Sequence, residues 1–167
     1  VASKYPYSED GTWAAADEGF CFEQLSLLSF LAACTTRVRL LTSVMVVPHR
    51  HPILAAKMIA TADVLSEGRV TVGVGAGWMR EEFDGVGQAF DTRGRRFDEM
   101  LDVLPLLWSG EVVEYHGTQI EFAPLRMRPA AIACRAFADD RALHHDHAAD
   151  AGVGRGAAEL GAGQFKR

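Results

Sequence analysis

The alternating segment from Val70 to Gly77 constrains the fold of this chain more than any other part of the sequence. Valine occupies the even positions up to residue 74, whereas the odd positions hold Thr71, Gly73, Gly75 and Gly77. Successive side chains of a strand point to opposite faces, so the segment predicts a strand with one apolar face and one nearly bare face. The bare face either leaves a slot for a flat ring or lets neighbouring backbone pack closely. Both interpretations remain open at this point.

A strand and a helix precede this segment. Residues Val38 to Val47 form a nearly unbroken apolar run with polar Thr42 and Ser43 in its middle, and residues 53–65 show helical spacing of apolar side chains. The order strand, helix, strand predicts a βαβ unit and therefore an α/β fold with parallel strands. The two hydroxyl groups either bind a ligand or satisfy nearby backbone groups.

Two helices are predicted, at residues 22–34 and 53–65. The second is apolar around most of its circumference, and such a helix must bury more than one face. The first carries an apolar stripe that we expect to pack against the second, formed by Leu27, Phe30, Leu31 and Cys34. We also expect these two helices to make the contacts of a homo-oligomer.

Three common ligand-binding patterns are not supported by the sequence. The run from Gly73 to Trp78 has tryptophan where the dinucleotide-binding pattern needs its third glycine, and no phosphate-loop pattern of the G-x-x-x-x-G-K-[ST] type occurs. His49 and His51 lie close together, but no third ligand with suitable spacing accompanies them. We therefore predict no metal site.

Composition limits the partners of the chain. Its net charge of −5 and pI near 5.7 argue against a nucleic-acid partner, which normally requires a basic patch. No apolar stretch is long enough to span a bilayer, so no membrane association is expected. The three cysteines are widely spaced and show no zinc pattern, which is typical of a reducing cytoplasm.

A series of motifs in a fixed order resembles one known family. The motifs are the strand Leu40–Val44, the helix end and turn Ala62–Arg69, the glycine segment Gly73–Trp78, the acidic pair before Phe83, and the later segments Arg93–Glu99 and Tyr115–Gly117. Together they resemble the luciferase-like monooxygenase superfamily of flavin-dependent and coenzyme F420-dependent oxidoreductases. The resemblance extends from about Tyr5 to Pro129.

The resemblance implies an incomplete TIM (β/α)8-type barrel that binds FMN or F420 at the carboxyl ends of its strands. The implied activity is hydride transfer or oxygen activation on a small organic substrate. In this family the peptide matching Ser43–Val44 can be cis behind the cofactor ring, and the strand end matching residues 75–77 lines the same cavity. The candidate cofactor-binding residues are accordingly Thr42, Ser43, Val44, Gly75, Ala76 and Gly77.

Two further regions complete the middle of the chain. A helix is predicted over residues 91–108, where Pro105 should kink or shorten it. Residues 111–122 alternate as an antiparallel hairpin, which in the family leaves the barrel and lies over the site. Candidate substrate contacts are therefore Tyr115 and His116 of this hairpin, together with Trp78, although each of them also suits a structural role.

The charged residues around the glycine segment have simpler interpretations. We expect Asp63 and Arg69 to cap or pair at the turn between helix and strand, and Glu81 and Glu82 to begin a solvent-exposed helix. No carboxylate lies at residues 75–77, where some deazaflavin-dependent relatives carry a catalytic glutamate. The catalytic residue is therefore unknown from the sequence.

The length and the last part of the chain depart from the family pattern. A (β/α)8 barrel takes about 250 residues, whereas this chain has 167. We divide it into a partial barrel at residues 1–129 and a divergent Ala/Gly/His-rich tail at residues 130–167, which is expected to be irregular. The alternative to an oxidoreductase is consequently a truncated, non-catalytic remnant that binds a partner through its exposed strand edges.

Overall fold

The computed structural model describes residues 21–138, with side chains described as far as Cys134. Four helices and five strands follow one another along this part of the chain. They are α1 (Gln24–Cys34), β1 (Leu40–Val46), α2 (Pro52–Leu65), β2 (Val70–Gly75), α3 (Arg80–Gly85), α4 (Arg93–Trp108), β3 (Val112–His116), β4 (Glu121–Arg126) and β5 (Arg135–Ala138). Short 3-10 turns at Val47–His49 and Phe90–Thr92 precede α2 and α4.

Strands β1, β2 and β5 form one parallel sheet in that order. Leu40 pairs with Val70 at one end and Val46 with Gly75 at the other, so β1 and β2 finish together at one edge. Helix α1 packs on α2, and α2 packs on α4. These parallel strand–helix units are those of an incomplete (β/α)8 barrel, which confirms the predicted fold class.

The alternating valines of β2 form part of the core. Val70, Val72 and Val74 are completely buried, as are Met45 of β1 and Ile59 of α2. Burying a side chain of this size contributes about 1.5–3 kcal/mol relative to leaving it exposed. The valine face of the glycine-containing strand therefore holds the sheet to its covering helices, as the alternation predicted.

The predicted packing face of α1 is wrong, although its packing against α2 is confirmed. Helix α1 buries Leu25, Leu28 and Ala32, whereas Leu27 and Phe30 of the predicted stripe are exposed. The helix carries apolar side chains on more than one side, so the spacing alone did not identify the inner face. The outer face consequently stays apolar.

Helix α4 continues through Pro105 to Trp108 and is not shortened there. The indole Nε1–H of Trp108 donates a hydrogen bond of 3.1 Å to the carbonyl of Ala56 and so ties α4 to α2.

The predicted antiparallel hairpin is also observed, and it consists of β3 and β4. Its turn is held by the Glu99 carboxylate, which accepts hydrogen bonds from the backbone N–H groups of residues 118–120.

Ordered barrel structure extends past the predicted boundary at Pro129. Strand β5 pairs in parallel with β2, with Thr71 beside Arg135 and Val74 beside Ala138. The expectation of an irregular tail from residue 130 is therefore wrong for this strand, and residues 139–167 of the predicted tail lie outside the described residues. Within residues 21–138, none of the helices has the length and apolar character needed to cross a bilayer.

Candidate active site

A cavity of about 740 Å³ lies where β1 and β2 end. Its walls come from the ends of these strands, the segments that follow them, and the start of α1. The lining residues are Cys21, Phe22, Glu23, Gln24, Ser43, Val44, Val46, His49, Arg50, Gly75, Gly77, Trp78, Met79, Glu82, Gly85 and Val86. Carboxyl ends of parallel strands are the usual location of sites in α/β barrels.

Most of the predicted cofactor residues meet at this cavity. Ser43 and Val44 of β1 line it together with Gly75 at the end of β2 and Gly77 just after it, and Trp78 also lines it with 39% of its surface exposed. The two strands are adjacent and parallel, so their ends are brought together by the sheet itself. The cavity thus joins two motifs that are about thirty residues apart in the sequence.

Thr42 and Ala76 do not line the cavity, although both were predicted as cofactor-binding residues. Thr42 is buried, and its hydroxyl donates a hydrogen bond of 2.9 Å to the Gly73 carbonyl on the neighbouring strand. Ala76 is 5% exposed and belongs to the core. Their side chains support the cavity walls from behind, which is the local-backbone alternative that the sequence had left open for Thr42.

The peptide bond between Ser43 and Val44 is cis. The Val44 carbonyl accepts a hydrogen bond of 3.2 Å from the side-chain amide of Gln24 at the start of α1. This contact connects the helix to the strand end and forms one side of the cavity. The sequence analysis did not name Gln24, although the start of a barrel helix lies at the face where the strands end and this rule could have pointed to it.

Gly77 lies in a backbone conformation and a packed environment that oppose a side chain. Its φ of +83° lies in the left-handed region, and a Cβ atom would lie 2.6 Å from Cγ1 of Val46 and 2.9 Å from Cε2 of Phe83. The Gly77 carbonyl accepts a hydrogen bond of 3.0 Å from Nε of Arg93. The chain is therefore fixed where it leaves β2 and turns toward Trp78.

An ion pair closes the side of the cavity near α1. Arg50 donates a hydrogen bond of 2.8 Å to Glu23, whose other carboxylate oxygen accepts one of 2.7 Å from the Ser26 amide and so caps the helix. Burial acts to raise the pKa of Glu23, but the hydrogen bonds from Ser26, Arg50 and Leu25 outweigh it and lower the pKa to about 2. The wall therefore carries a carboxylate with a fixed countercharge, which the sequence analysis missed.

His49 contributes an imidazole ring to the same wall. The ring packs edge-on against Phe83, with 4.3 Å between the ring centroids. Burial, and after it the charge of Arg50, lower the pKa of His49, so the imidazole is neutral at neutral pH. Among residues 21–138, no group of three or more potential metal ligands is close enough to hold an ion.

Glu82 lines the cavity from the first turn of α3, where the sequence analysis expected a solvent-exposed carboxylate. It is exposed, yet partial burial and then the neighbouring Glu81 raise its pKa.

Tyr115 and His116 do not line the cavity. Tyr115 stacks on Phe122 within the hairpin, and His116 lies near Glu114 and Glu121. The described part of the chain thus gives no support to a substrate contact from the hairpin.

Comparison with known proteins gives a consistent result. Residues 10–136 match the family model described as luciferase-like monooxygenase. An uncharacterized protein of Mycobacterium tuberculosis (strain ATCC 25618 / H37Rv) is 35% identical over 128 residues, which is 77% of this chain and 44% of that protein. An FMNH2-dependent dimethylsulfone monooxygenase of Pseudomonas fluorescens (strain Pf0-1) is 31% identical over 113 residues, or 66% of this chain and 31% of that protein.

Solved structures are similar over about two thirds of the chain. The monooxygenase RslO1 from Streptomyces bottropensis superposes with a TM-score of 0.64 and 32% identity, covering 68% of this chain and 36% of that one. A coenzyme F420-dependent tetrahydromethanopterin reductase from Methanopyrus kandleri shares the fold, with a TM-score of 0.53, 23% identity and coverage of 68% and 35%. The chain therefore spans less than half the length of each of these proteins.

Proposed function

We infer the function from one premise, which is that the chain belongs to the luciferase-like monooxygenase family. We propose that it is an oxidoreductase whose cavity at the ends of β1 and β2 binds the tricyclic ring of FMN or coenzyme F420. A relative named for its dependence on FMNH2, and a protein of the same fold named for its dependence on F420, support this choice of cofactor.

The observation that carries the proposal is the juxtaposition of apolar side chains and bare backbone in one cavity. Val44 and Val46 present apolar surface, whereas Gly75 and Gly77 present backbone without a side chain. A flat ring can approach such backbone closely because no Cβ atom keeps it away. The volume of about 740 Å³ lies within the usual range for small-molecule sites.

Each part of the wall has a distinct role in this proposal. Gln24 holds the Val44 carbonyl, and Arg93 holds the Gly77 carbonyl, so both strand ends are fixed before a ring binds. Such preorganisation reduces the ordering that binding requires. Trp78 lies at the exposed side of the cavity and is the proposed contact for a small organic substrate.

When bound, the ring supplies hydride transfer or oxygen activation, which side chains do not provide by themselves. The residues of the chain bind it, orient it and exclude water. The apolar side chains of Val44 and Val46 keep solvent from one face of the cavity, while the neutral His49 and the paired Glu23 and Arg50 place polar groups at its rim.

Substitution of Gly75 by valine tests the position of the site. We expect Gly75→Val to weaken the binding of both FMN and F420 by more than about tenfold, because the added side chain occupies space that the ring needs. Binding is measured by fluorescence titration of the 167-residue chain. Gly94→Ala is the control, since a Cβ atom at Gly94 meets nothing within 4 Å. Unchanged binding by Gly75→Val would place the site elsewhere.

We further propose that the chain forms a homo-oligomer through α1 and α2. The outer faces of these helices are apolar, with Phe30 64%, Leu54 57% and Leu65 58% exposed. Exposed apolar side chains on two helices that pack together are typical of contacts between protein chains. A second copy of the chain presents the same surface and can cover it by symmetry.

A cytoplasmic location is part of the same proposal. Cys21, Cys34 and Cys134 are all free thiols, which suits a reducing compartment.

A further inference from the structure

The first turn of α4 carries two arginines that contact both strand-end segments of the cavity. Nε of Arg93 donates a hydrogen bond of 3.0 Å to the carbonyl of Gly77, which lies just after β2. Nη1 of Arg96 donates one of 3.2 Å to the carbonyl of Pro48, in the 3-10 turn that follows β1. Residues three apart in a helix are neighbours on its surface, so one side of α4 holds both segments.

Both guanidinium groups are fixed by further contacts near the start of α4. That of Arg93 lies over the ring of Phe90, 3.8 Å from its centroid. Nη2 of Arg96 donates a hydrogen bond of 2.7 Å to the hydroxyl of Thr92. The N–H groups of a guanidinium form a rigid fork, which lets one side chain connect two segments. The positions of the two donors are therefore set by α4 and by the turn before it.

The two arginines act on the cavity from outside. Neither of them is among the described residues that line it, whereas Gly77 lines it directly. Pro48 is buried, and the next two residues, His49 and Arg50, both line the cavity. A shift of either carbonyl would move the segment of wall attached to it. The separation of the two segments thus depends on side chains that do not line the cavity.

We propose that Arg96 is a positioning residue of the ring site and that, together with Arg93, it fixes the separation of the segments that follow β1 and β2. This inference rests on the proposed function, because the molecule affected is FMN or F420. A flat ring makes close contact with both segments only over a narrow range of separations. Segments that are fixed in advance reduce the ordering that binding requires.

Fluorescence titration of the 167-residue chain with FMN and, separately, with F420 tests the inference. We expect Arg96→Met to weaken ring binding about tenfold, because a charged hydrogen bond between α4 and the turn is lost. Arg96→Lys should recover part of the loss, since an ammonium reaches one carbonyl but does not form the fork. The matched control is Arg95→Met, which removes the same charge from an exposed neighbouring position and should bind like the unmodified chain.

Thr92→Val tests the orientation of the guanidinium without removing it. The side chain of Thr92 makes no capping hydrogen bond to α4, so we expect this variant to stay folded. It should weaken ring binding about threefold, because Nη2 of Arg96 loses its hydroxyl partner. In Arg96→Met the same substitution should have no effect, since the two side chains act through one contact. Circular dichroism confirms that each variant is folded.

Amide hydrogen exchange reports the turn itself, without any bound ring. The Arg50 amide donates to the Val47 carbonyl at 3.0 Å and closes the turn after β1. We expect this amide to exchange faster in Arg96→Met than in Arg95→Met, while the amides of β2 keep their protection.

The inference and the proposed function fail in different ways. Equal ring affinity of folded Arg96→Met and Arg95→Met, or equal exchange rates of their Arg50 amides, would overturn the role of Arg96 and leave the ring site in place. Absence of binding by either ring to the folded, unmodified chain would overturn the proposed function and the inference with it.

Discussion

A single buried carboxylate, that of Asp63, joins α2 to the strand at the far side of the sheet. Asp63 is completely buried, and its Oδ2 accepts hydrogen bonds from the backbone N–H groups of Ile132, Ala133 and Cys134 at 2.7, 2.9 and 3.1 Å. These three residues lead directly into β5. The carboxylate therefore fixes the position at which β5 meets β2.

Removal of this carboxylate should destabilise the chain strongly. We expect Asp63→Ala to lower the free energy of unfolding by about 3 kcal/mol, because one buried and two partly buried N–H groups lose their acceptor at once. Urea denaturation followed by circular dichroism measures the effect. Asp84→Ala, at an exposed position of α3, is the control and should change stability by less than about 0.5 kcal/mol. Equal stability of the two variants would contradict the role given to Asp63.

Arg69 and Asp63 show which hydrogen-bond partners of a single residue the sequence can predict. Both were predicted to cap or pair near the turn between α2 and β2. Arg69 does so, because its guanidinium donates to the carbonyls of Ala32, Thr35 and Val38 and its Nε donates to that of Ser66. Asp63 instead has partners about seventy residues further along the chain. A local pattern contains no information about a contact at that separation.

At the scale of elements, α1, α2, α4, β1 and β2 were found at nearly the predicted bounds because strong signals border them, whereas β5 was not predicted. The alternation of β2 and the prolines around residues 48–52 are of this kind. The sequence did not predict which face of α1 is buried. Its apolar residues surround the helix, so the side that packs is decided by the neighbouring α2 and by the sheet rather than by spacing.

Two glycines at the ends of α4 should respond to alanine in opposite ways. Gly94 lies in the first turn of α4, and a Cβ atom there meets nothing within 4 Å, so Gly94→Ala should stabilise the chain by about 0.5–1 kcal/mol. Gly110 follows the helix with a φ of +74°, and a Cβ atom there would lie 2.9 Å from Cβ of Ala130. Gly110→Ala should therefore cost about 1–2 kcal/mol.

Thermal unfolding of the two variants compares these effects directly. The unmodified chain serves as the reference, and the two midpoints should lie on opposite sides of its own. A rise in the midpoint of Gly110→Ala would contradict the backbone conformation assigned to the end of α4.

At the scale of the whole molecule, the exposed apolar faces of α1 and α2 predict self-association. We expect the chain to sediment as a dimer at micromolar concentration and Phe30→Glu to sediment as a monomer, because a charge on the face opposes its burial. Val112→Glu on the hairpin is the control, since Val112 is similarly exposed, at 57%, but belongs to β3 and to neither helix. A dimer that survives Phe30→Glu would exclude this face.

The cavity is also a property of the whole molecule. The strand ends that form it were predicted from the glycine segment and from the resemblance to the family, and the sheet topology places them side by side. Another part of its wall comes from Glu23, Gln24 and Arg50, whose contacts require the start of α1 to lie beside the end of β1. No single motif in the sequence predicts that position of α1.

Fluorescence titration of the folded 167-residue chain with FMN and, in parallel, with F420 tests the proposed ring site directly. We expect saturable binding of one of the two rings at one site per chain. We also expect binding to be lost in Gly75→Val and kept in Gly94→Ala. Absence of saturable binding by either ring, with circular dichroism showing a folded chain, would contradict the proposed site and favour the alternative of a non-catalytic member of the family.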